Sequence, residues 1–353
     1  MQRAAMGTVC RTFWSSALHP RASRAKPSQM SDIATCPIIS SHEAVNLDRA
    51  AAILDAGGLV AVPTETVYGL AADAANPEAI AALYAAKGRP HFNPLIAHVE
   101  SLDRALSLIE LSPAARALAG QVWPGPLTLV GRHRTTSPVC DLARAGLDTL
   151  AVRWPDSAAM TGLVARLDRP LAAPSANMSG SISPTTAQHV ADGLGARISL
   201  ILDGGPCRMG LESTIIADTL DGLVLLRAGT LEAERIEALT EKTLARAVLG
   251  GAITAPGMLK SHYAPGAPLR LNVTAPDAGE TYLAFGRWRG DGAATVLDLS
   301  KSGDLAEAAA RLFSHLRQAD ALGKPIAVAP IPAEGMGEAI NDRLARAAAP
   351  KDI

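Results

Sequence analysis

Residues 57–70 read GGLVAVPTETVYGL and contain the transition that decides the fold. The apolar run at 59–62 predicts a short buried strand, and a polar turn of Thr64, Glu65 and Thr66 follows it almost at once. A turn of this kind after a buried strand presents hydroxyl and backbone NH groups to a crevice. Because an ordinary capped turn explains the same residues, this segment alone leaves its function open.

The chain continues on the C-terminal side of this segment as alternating strands and helices. Helical patterns fall at 76–87, 114–122, 158–167, 185–194 and 231–249, and strand patterns at 127–130, 149–153, 171–173, 200–202, 213–216 and 223–226. This alternation predicts an α/β domain built around a twisted, largely buried sheet.

A second, smaller α/β domain is predicted beyond residue 268. A stretch rich in Gly and Pro at 250–268 has the composition of a linker, and strand and helix patterns follow at 282–285, 294–299, 305–322 and 325–329. The predicted organisation is an N-terminal extension at 1–35, a catalytic domain at 36–249, a linker at 250–268 and a C-terminal domain at 269–353.

Composition excludes several classes of protein. In 353 residues, 48% are hydrophobic and 19% charged, which supplies two buried cores and argues against global disorder. The formal net charge of −1 argues against a protein that coats nucleic acid, although it leaves room for a local basic groove. No apolar run reaches the roughly 18 residues of a membrane helix. The four cysteines show no CxxC spacing, which favours a reducing compartment.

The first thirty residues contain five basic side chains and no acid. This composition is typical of an organellar transit peptide, and equally of an unstructured extension whose true start is Met6 or Met30. The segment is therefore excluded from the fold. We expect a cytoplasmic protein, with an organellar location as the alternative if the segment is a genuine transit peptide.

Cationic side chains lie on loops near the predicted strands. Lys87 and Arg89 flank a glycine at the end of a helical pattern, whereas Arg153 and Arg227 each end a strand pattern. Lys and Arg at such positions suit phosphate or carboxylate oxygens. A solvated basic turn at a helix C-terminus explains the Lys87–Arg89 pair equally well.

Small polar residues occupy two further loops, 173–184 and 210–214. Backbone NH groups and short hydroxyl side chains can wrap phosphates, although a Ser-rich turn looks the same. The sequence contains no P-loop, no Asp-rich metal cage and no Ser-His-Asp order. A cationic, hydroxyl-lined crevice therefore favours binding of a nucleoside triphosphate over hydrolysis by a protein nucleophile.

At this point the motifs resemble a known family, the YrdC-like threonylcarbamoyl-AMP synthases. The resemblance covers about residues 38–240 and rests on separated motifs in the family's order: PTETVYGL at 63–70, KGRP at 87–90, NPLI at 93–96 with His98, WPGPLT at 123–128, AVR at 151–153, PSANMSG at 174–180 and EST at 212–214. APGMLKSHYAP at 255–265 resembles the linker of the longer, two-domain form. Its C-terminal, Rossmann-like α/β domain matches 269–353, including GEAINDRL at 337–344.

The resemblance implies an enzyme that converts L-threonine, bicarbonate and ATP to threonylcarbamoyl-AMP and pyrophosphate. It implies a threonine pocket formed by Thr66, His98, Arg153, Ala173 and Ser213. It implies an ATP site formed by Arg89, Asn93, Thr149, Ser175, Asn177, Ser183, Arg227, His262 and Tyr263. Lys87 and Arg89 would neutralise developing charge, and Mg²⁺ would be held mainly by the ATP phosphates, because no carboxylate cluster stands at these loops.

The product would feed the threonylcarbamoyladenosine modification beside the anticodon of tRNAs, through downstream threonylcarbamoyl-transferase proteins. The resemblance also implies double-stranded RNA binding, and whether this chain contacts tRNA directly stays open. A nucleic-acid-binding module is a rival interpretation, but it should carry interleaved aromatic residues, and these are only 3% of the chain. The related domain of hydrogenase maturation proteins is a closer rival, but the zinc-finger and acylphosphatase-like segments expected ahead of it are missing.

Overall fold

The computed structural model describes residues 36–247 and 262–350. The strands in these ranges, numbered along the chain, are β1 Ile38–Ser40, β2 Val60–Val62, β3 Gly69–Asp73, β4 Ile96–His98, β5 Ile109–Glu110, β6 Leu127–His133, β7 Thr149–Arg153, β8 Leu171–Ala172, β9 Leu200–Asp203, β10 Thr214–Thr219, β11 Gly222–Arg227, β12 Ala245–Arg246, β13 Leu269–Arg270, β14 Thr281–Phe285, β15 Thr295–Ser300 and β16 Ile326–Val328. The helices are α1 Ala44–Asp55, α2 Pro77–Lys87, α3 Leu102–Leu108, α4 Pro113–Val122, α5 Ala158–Leu167, α6 Ala187–Leu194, α7 Ala233–Thr240, α8 Leu305–Ala321 and α9 Met336–Ala348.

The larger sheet is mixed and runs in the order β1-β9-β2-β3-β8-β4-β7-β6-β10-β11-β12, with β5 paired to β6. Its central strands β2, β3 and β4 are buried on both faces, because their side chains alternate between two sides of the sheet. In β2, Val60 and Val62 pack in a core with Leu54 of α1 and Leu163 of α5, whereas Ala61 faces the core that contains α2, α4 and α6. The prediction of an α/β fold around a twisted, buried sheet is confirmed.

The C-terminal part forms a separate sheet of four parallel strands in the order β13-β16-β14-β15. Residues of α8 and α9 share its core, among them Leu312, Leu316 and Ile340. This is the smaller α/β unit that the sequence predicts. The domain boundaries at 35, 249 and 268 stay predictions, and the segments 1–35 and 248–261 fall outside the described residues.

Helix α2 shows why the basic loop lies where it does. The Asn76 side chain accepts hydrogen bonds from the backbone NH groups of Glu78 and Ala79, and Pro77 fills the first turn. The helix ends at Gly88, whose φ of 58° is the left-handed conformation that glycine adopts without strain. The chain therefore turns sharply after Lys87, and Arg89, which follows the turn, is buried.

Several elements differ from the sequence-based expectation. Strands β1, β3, β4, β5, β12 and β13 are not among the predicted strands. The predicted helix at 231–249 is wrong in its second half, because Glu241 takes a left-handed φ of 53° that ends α7, and the chain continues as β12 beside β11. Helices α1, α3 and α9 were not predicted. Neither α1 nor α9 has a side-chain hydrogen bond at its N-cap, so the sequence lacks the usual start signal for either helix.

Candidate functional site

The site forms where strands of opposite direction meet in the larger sheet. Strands β4 and β7 are parallel, and their register pairs His98 with Arg153 at their common end. Strand β6 lies between β7 and β10, antiparallel to the first and parallel to the second, so the start of β10 and the end of β7 lie at the same edge of the sheet. Arg153, which ends one strand, and Ser213, which precedes another, therefore face the same space.

This space is a partly open cavity of about 50 Å³. Its walls combine three guanidinium groups, one carboxylate and several hydroxyl groups with apolar surface. The lining residues are Thr66, Val67, Arg89, Ile96, His98, Arg153, Ala173, Pro174, Ser175, Glu212, Ser213, Arg227, His262 and Tyr263. The whole predicted threonine set is among them, together with five members of the predicted ATP set: Arg89, Ser175, Arg227, His262 and Tyr263.

Arg153 is held in place by a buried carboxylate that the sequence did not single out for this role. Its Nη2 donates to Oε1 of Glu65 at 2.6 Å, and its Nε lies 3.4 Å from the carbonyl oxygen of Gly125. The two side chains are 5% and 2% exposed, so water does not screen the pair. The second carboxylate oxygen of Glu65 is buried without a hydrogen-bond partner among the described residues.

Apart from its partner Glu65, two side chains of the cavity wall near Arg153, His98 and Thr66, are neutral. Burial, reinforced by the Arg153 charge, lowers the pKa of His98 to about 3, so this imidazole is uncharged at neutral pH. Its Nδ1 lies 3.2 Å from the carbonyl oxygen of Ile96. The Thr66 hydroxyl lies 2.9 Å from that of Thr64, which itself donates to the carbonyl oxygen of Val67. This part of the cavity thus combines one arginine, paired from behind with Glu65, with neutral hydrogen-bonding groups.

Ser213 connects this region to Arg227. The Ser213 hydroxyl lies 2.8 Å from the hydroxyl of Thr128, and Nη2 of Arg227 donates to both the carbonyl and the hydroxyl oxygen of Ser213. Arg227 is fully buried, and burial lowers its pKa. An arginine side chain keeps its proton in proteins, so Arg227 is a cation.

The two cations of the KGRP motif have different positions. Arg89 lines the cavity and donates to the carbonyl oxygens of Asn93 and Pro94 at 3.2 and 3.0 Å. Burial lowers the pKa of Arg89 to about 10. Lys87 lies behind the wall, with Nζ 2.5 and 2.6 Å from the carbonyl oxygens of Ser175 and Asn177. Among residues 36–247 and 262–350, no carboxylate forms an ion pair with either side chain.

The ammonium group of Lys87 has a strongly perturbed acidity. Complete burial, with a contribution from the neighbouring Arg89, lowers its pKa well below the ordinary value. Its bonds fix the backbone of the 175–177 loop, whose Ser175 lines the cavity. The structure therefore brings Lys87 to the loop that surrounds the cavity but not to the cavity itself.

Four other predicted ATP residues also lie outside the lining. Asn177 donates to the carbonyl oxygens of Met178 and Ser181, and Ser183 donates to Glu212, so both stabilise the surrounding loops. Asn93 is fully buried, and its side chain has no hydrogen-bond partner within the described ranges. Thr149 begins β7 while Arg153 ends it, which separates them by roughly 13 Å at ~3.3 Å per residue. The structure does not bring Thr149 to the cavity.

His262 and Tyr263, which lie within the predicted linker, form part of the cavity wall. Their rings lie 4.1 Å apart, and the Tyr263 ring stacks on Phe313 of α8 at 5.3 Å. Tyr263 has a φ of 61°, a left-handed conformation that costs energy for a residue with a side chain. Burial lowers the pKa of His262 to about 3 and raises that of Tyr263 to about 12, so both side chains are neutral.

Glu212 is the cavity residue whose role the sequence missed, although it lies inside the EST motif. Burial alone would raise its pKa, but Arg343 and Arg227 outweigh that effect, and the pKa is below its ordinary value. Its carboxylate is therefore ionised. In the part of the chain that the structure describes, no group of three or more His, Cys, Asp or Glu side chains has the arrangement of a metal site.

Comparison with known proteins gives a consistent family. Residues 52–229 match a family model described as telomere recombination, and residues 231–349 match one described as threonylcarbamoyl-AMP synthase, C-terminal domain. The threonylcarbamoyl-AMP synthase of Pyrococcus abyssi is 39% identical over 316 residues, which cover 84% of this chain and 92% of that protein. The threonylcarbamoyl-AMP synthase of Bacillus subtilis is 37% identical over 321 residues, which cover 85% of this chain and 92% of that protein.

The fold matches a solved structure over nearly the same range. The crystal structure of Pyrococcus abyssi Sua5 complexed with L-threonine superposes with a TM-score of 0.80 at 36% identity, and the match covers 88% of this chain and 97% of that one. Within the described residues, no helix is both long and apolar enough to span a membrane.

Proposed function

The chain belongs to the threonylcarbamoyl-AMP synthase family, and we propose that it condenses L-threonine, bicarbonate and ATP to threonylcarbamoyl-AMP and pyrophosphate. One observation carries this proposal: Arg89, Arg153 and Arg227 line a single cavity, and against these three cations the described residues place two carboxylates, Glu212 in the wall and Glu65 behind Arg153. Buried like charges repel each other, and an anionic ligand removes that repulsion. The substrates supply such ligands as a carboxylate, a bicarbonate and a triphosphate.

Arg153 is the proposed partner of the threonine carboxylate. Glu65 fixes its guanidinium from one side, which supports a defined orientation toward a ligand on the other. The hydroxyls of Thr66 and Ser213 would hydrogen-bond the polar groups of threonine, and neutral His98 would do so without adding charge. The short Ala173 side chain leaves space for the substrate.

The chemistry then proceeds in two steps. The threonine nitrogen, as a free amine, attacks the carbon of bicarbonate, a C–N bond forms and water leaves, which gives a carbamate. A carbamate oxygen attacks the α-phosphorus of ATP, the bond from that phosphorus to the bridging oxygen breaks, and pyrophosphate leaves. Arg89 and Arg227 would stabilise the charge on the departing phosphates, so catalysis rests on positioning and electrostatics.

ATP requires a larger space than the cavity offers. Ligand pockets of its size class measure roughly 300–1,000 Å³, and the cavity volume is about 50 Å³. His262 and Tyr263 are wall residues that belong to the predicted linker, so we expect them to move when ATP enters and to close over it afterwards. Mg²⁺ would arrive on the phosphates, and it would neutralise part of their charge.

Threonylcarbamoyl-AMP is a mixed anhydride, which is reactive toward nucleophiles and suits transfer to a second enzyme. We expect the product to be consumed by threonylcarbamoyl-transferase proteins that modify the adenosine beside the tRNA anticodon. Direct contact of this chain with tRNA or double-stranded RNA, and its cytoplasmic or organellar location, stay predictions.

The product itself provides the test. Purified protein is incubated with ATP, Mg²⁺, L-threonine and ¹³C-bicarbonate. The adenylates are then separated, and their molecular masses are measured by mass spectrometry. The proposal predicts one adenylate that carries threonine and one ¹³C atom, and its absence with L-valine, which has a methyl group in place of the hydroxyl. An adenylate that contains threonine but no ¹³C would contradict the proposal, because it would arise from direct attack by the threonine carboxylate.

A further inference from the structure

Arg343 of helix α9 reaches from the C-terminal unit to the wall of the cavity. It is completely buried, and its Nε donates to Oε2 of Glu212 at 3.0 Å. Its Nη1 donates to Asp342 at 2.7 Å, and its guanidinium carbon lies 5.5 Å from the centre of the Tyr263 ring. The same side chain therefore contacts a carboxylate of the cavity and an aromatic ring of the segment that closes it.

Glu212 also forms a hydrogen bond with a second loop. Its other oxygen, Oε1, accepts a hydrogen bond of 2.6 Å from the Ser183 hydroxyl. The backbone of the same loop is held by Arg317 of α8, which donates to the carbonyl oxygens of Ile182 and Ser183. Both helices of the C-terminal unit thus contact the 182–183 loop, one directly and one through Glu212.

Apolar packing continues the connection. Val67, Ile182, Leu211 and Tyr263 are buried in the core of the C-terminal unit rather than in the cores of the larger sheet. Val67 and Tyr263 also line the cavity. The C-terminal unit therefore forms part of the framework on which the cavity is built.

The charges explain why an arginine is needed at position 343. Glu212 has two cationic neighbours, Arg343 behind the wall and Arg227 in the cavity. With Arg343 present, the carboxylate is compensated by an ion pair from outside the cavity in addition to the charge of Arg227. Without Arg343, an ionised carboxylate in a buried wall would be compensated by Arg227 alone and would repel the phosphates of ATP.

We propose that Arg343 is a positioning residue for the ATP site, which orients and neutralises Glu212, fixes Tyr263 and makes the C-terminal unit part of the synthase site. This inference rests on the proposed function. Its direct consequence is that loss of the Arg343 charge weakens ATP binding more than threonine binding, since Arg153 and its partner Glu65 lie outside this network.

The test uses the full chain and measures pyrophosphate release over a range of ATP and threonine concentrations. Arg343→Met should raise the KM for ATP tenfold or more, with a smaller change in the KM for threonine. Arg343→Lys keeps a buried charge and should fall between this variant and the wild type. In the double variant Glu212→Gln/Arg343→Met, removal of the uncompensated carboxylate should lower the KM for ATP relative to Arg343→Met alone.

Helix α9 also offers a matched control. Glu338 forms an exposed ion pair with Arg246, so Glu338→Gln removes a contact between the same helix and the catalytic part without touching the cavity. Both KM values of Glu338→Gln should equal those of the wild type. Unfolding midpoints establish that each variant is folded, and Arg343→Lys replaces Arg343→Met if the latter does not fold.

Two results would overturn the inference. One is a KM for ATP equal to that of the wild type in both Arg343→Lys and Arg343→Met, or in Arg343→Lys alone if Arg343→Met does not fold. The other is a lowered unfolding midpoint with unchanged kinetic constants, which would make Arg343 a stabilising residue only. A wild-type protein that releases no pyrophosphate with threonine and bicarbonate would instead refute the proposed function, so the two failures are distinguishable.

Discussion

Substitution of Arg153 by Lys tests how the threonine carboxylate is bound. Arg153 uses Nη2 for Glu65 and Nε for the backbone of Gly125, and the proposed function assigns the rest of the fork to the substrate. A lysine keeps the charge but offers a single ammonium, which can satisfy Glu65 or the substrate with good geometry but not both. The substrate should therefore lose one charge-assisted hydrogen bond.

The size of the effect follows from the energy of such a bond. A hydrogen bond to a charged group contributes about 1.5–3 kcal/mol, which corresponds to roughly a 10- to 150-fold rise in the KM for threonine. The KM for ATP should stay within about threefold of the wild-type value. Because the positive charge beside Glu65 is kept, the free energy of unfolding should fall by less than the ~3–5 kcal/mol expected when a buried partner is left unpaired, as in Arg153→Ala.

The assay is threonine-dependent pyrophosphate release, with denaturant unfolding of each variant alongside it. Arg208→Lys is the control, because Arg208 pairs with Asp156 at 2.8 Å on the exposed surface, where the same substitution should change neither quantity. The reasoning is refuted if folded Arg153→Lys has a wild-type KM for threonine, or if its KM for ATP rises as much as that for threonine.

Two further predictions concern stability. The pKa of His98 is about 3 in the folded protein, against an ordinary value of 6.5. Between these two pH values the unfolded chain binds a proton that the folded chain does not. The contribution of His98 to the free energy of unfolding should therefore be fully present above pH 6.5 and fall as the pH drops toward 3, by at most about 1.4 kcal/mol per pH unit. In urea unfolding at pH 5 and 7.5, His98→Asn should show a smaller loss between the two values than the wild type, and an equal loss would contradict the assignment. Gly210 has a φ of 71°, and an added Cβ would lie 2.5 Å from the Ala310 backbone. Gly205 has a similar φ of 80° but open space around it. Gly210→Ala should therefore destabilise the protein by about 1–3 kcal/mol more than Gly205→Ala does. Equal unfolding midpoints for the two glycine variants would show that the approach of the 210–214 loop to α8 is not tight.

The sequence predicted those parts of the fold that depend on local signals. Helices α2, α4 and α5 begin with capping side chains at Asn76, Ser112 and Ser157, and each was predicted close to its observed bounds. The second half of the helix predicted at 231–249 was wrong because a left-handed residue, Glu241, is allowed but not signalled by its type. Local patterns could not reveal this break.

The candidate site also has a part that the sequence could predict and a part that it could not. Arg89, Arg153 and Arg227 could be predicted because each follows a helix or strand within a motif. The Arg153–Glu65 and Arg343–Glu212 pairs could not, because they join residues 88 and 131 positions apart that only the folded sheet and the C-terminal unit bring together. The position of Lys87 behind the wall depends on the same long-range packing, since the carbonyl groups it contacts belong to the 175–177 loop.

Pyrophosphate release from the full chain is the decisive test of the proposed reaction. Release is measured with ATP and Mg²⁺ in buffer freed of carbon dioxide, with L-threonine, bicarbonate, both or neither added. We expect release only when both are present, with one pyrophosphate formed for each threonine consumed. Release that is equally fast without threonine or without bicarbonate would contradict it, because the cavity around Arg153 would then bind something other than the substrates proposed here.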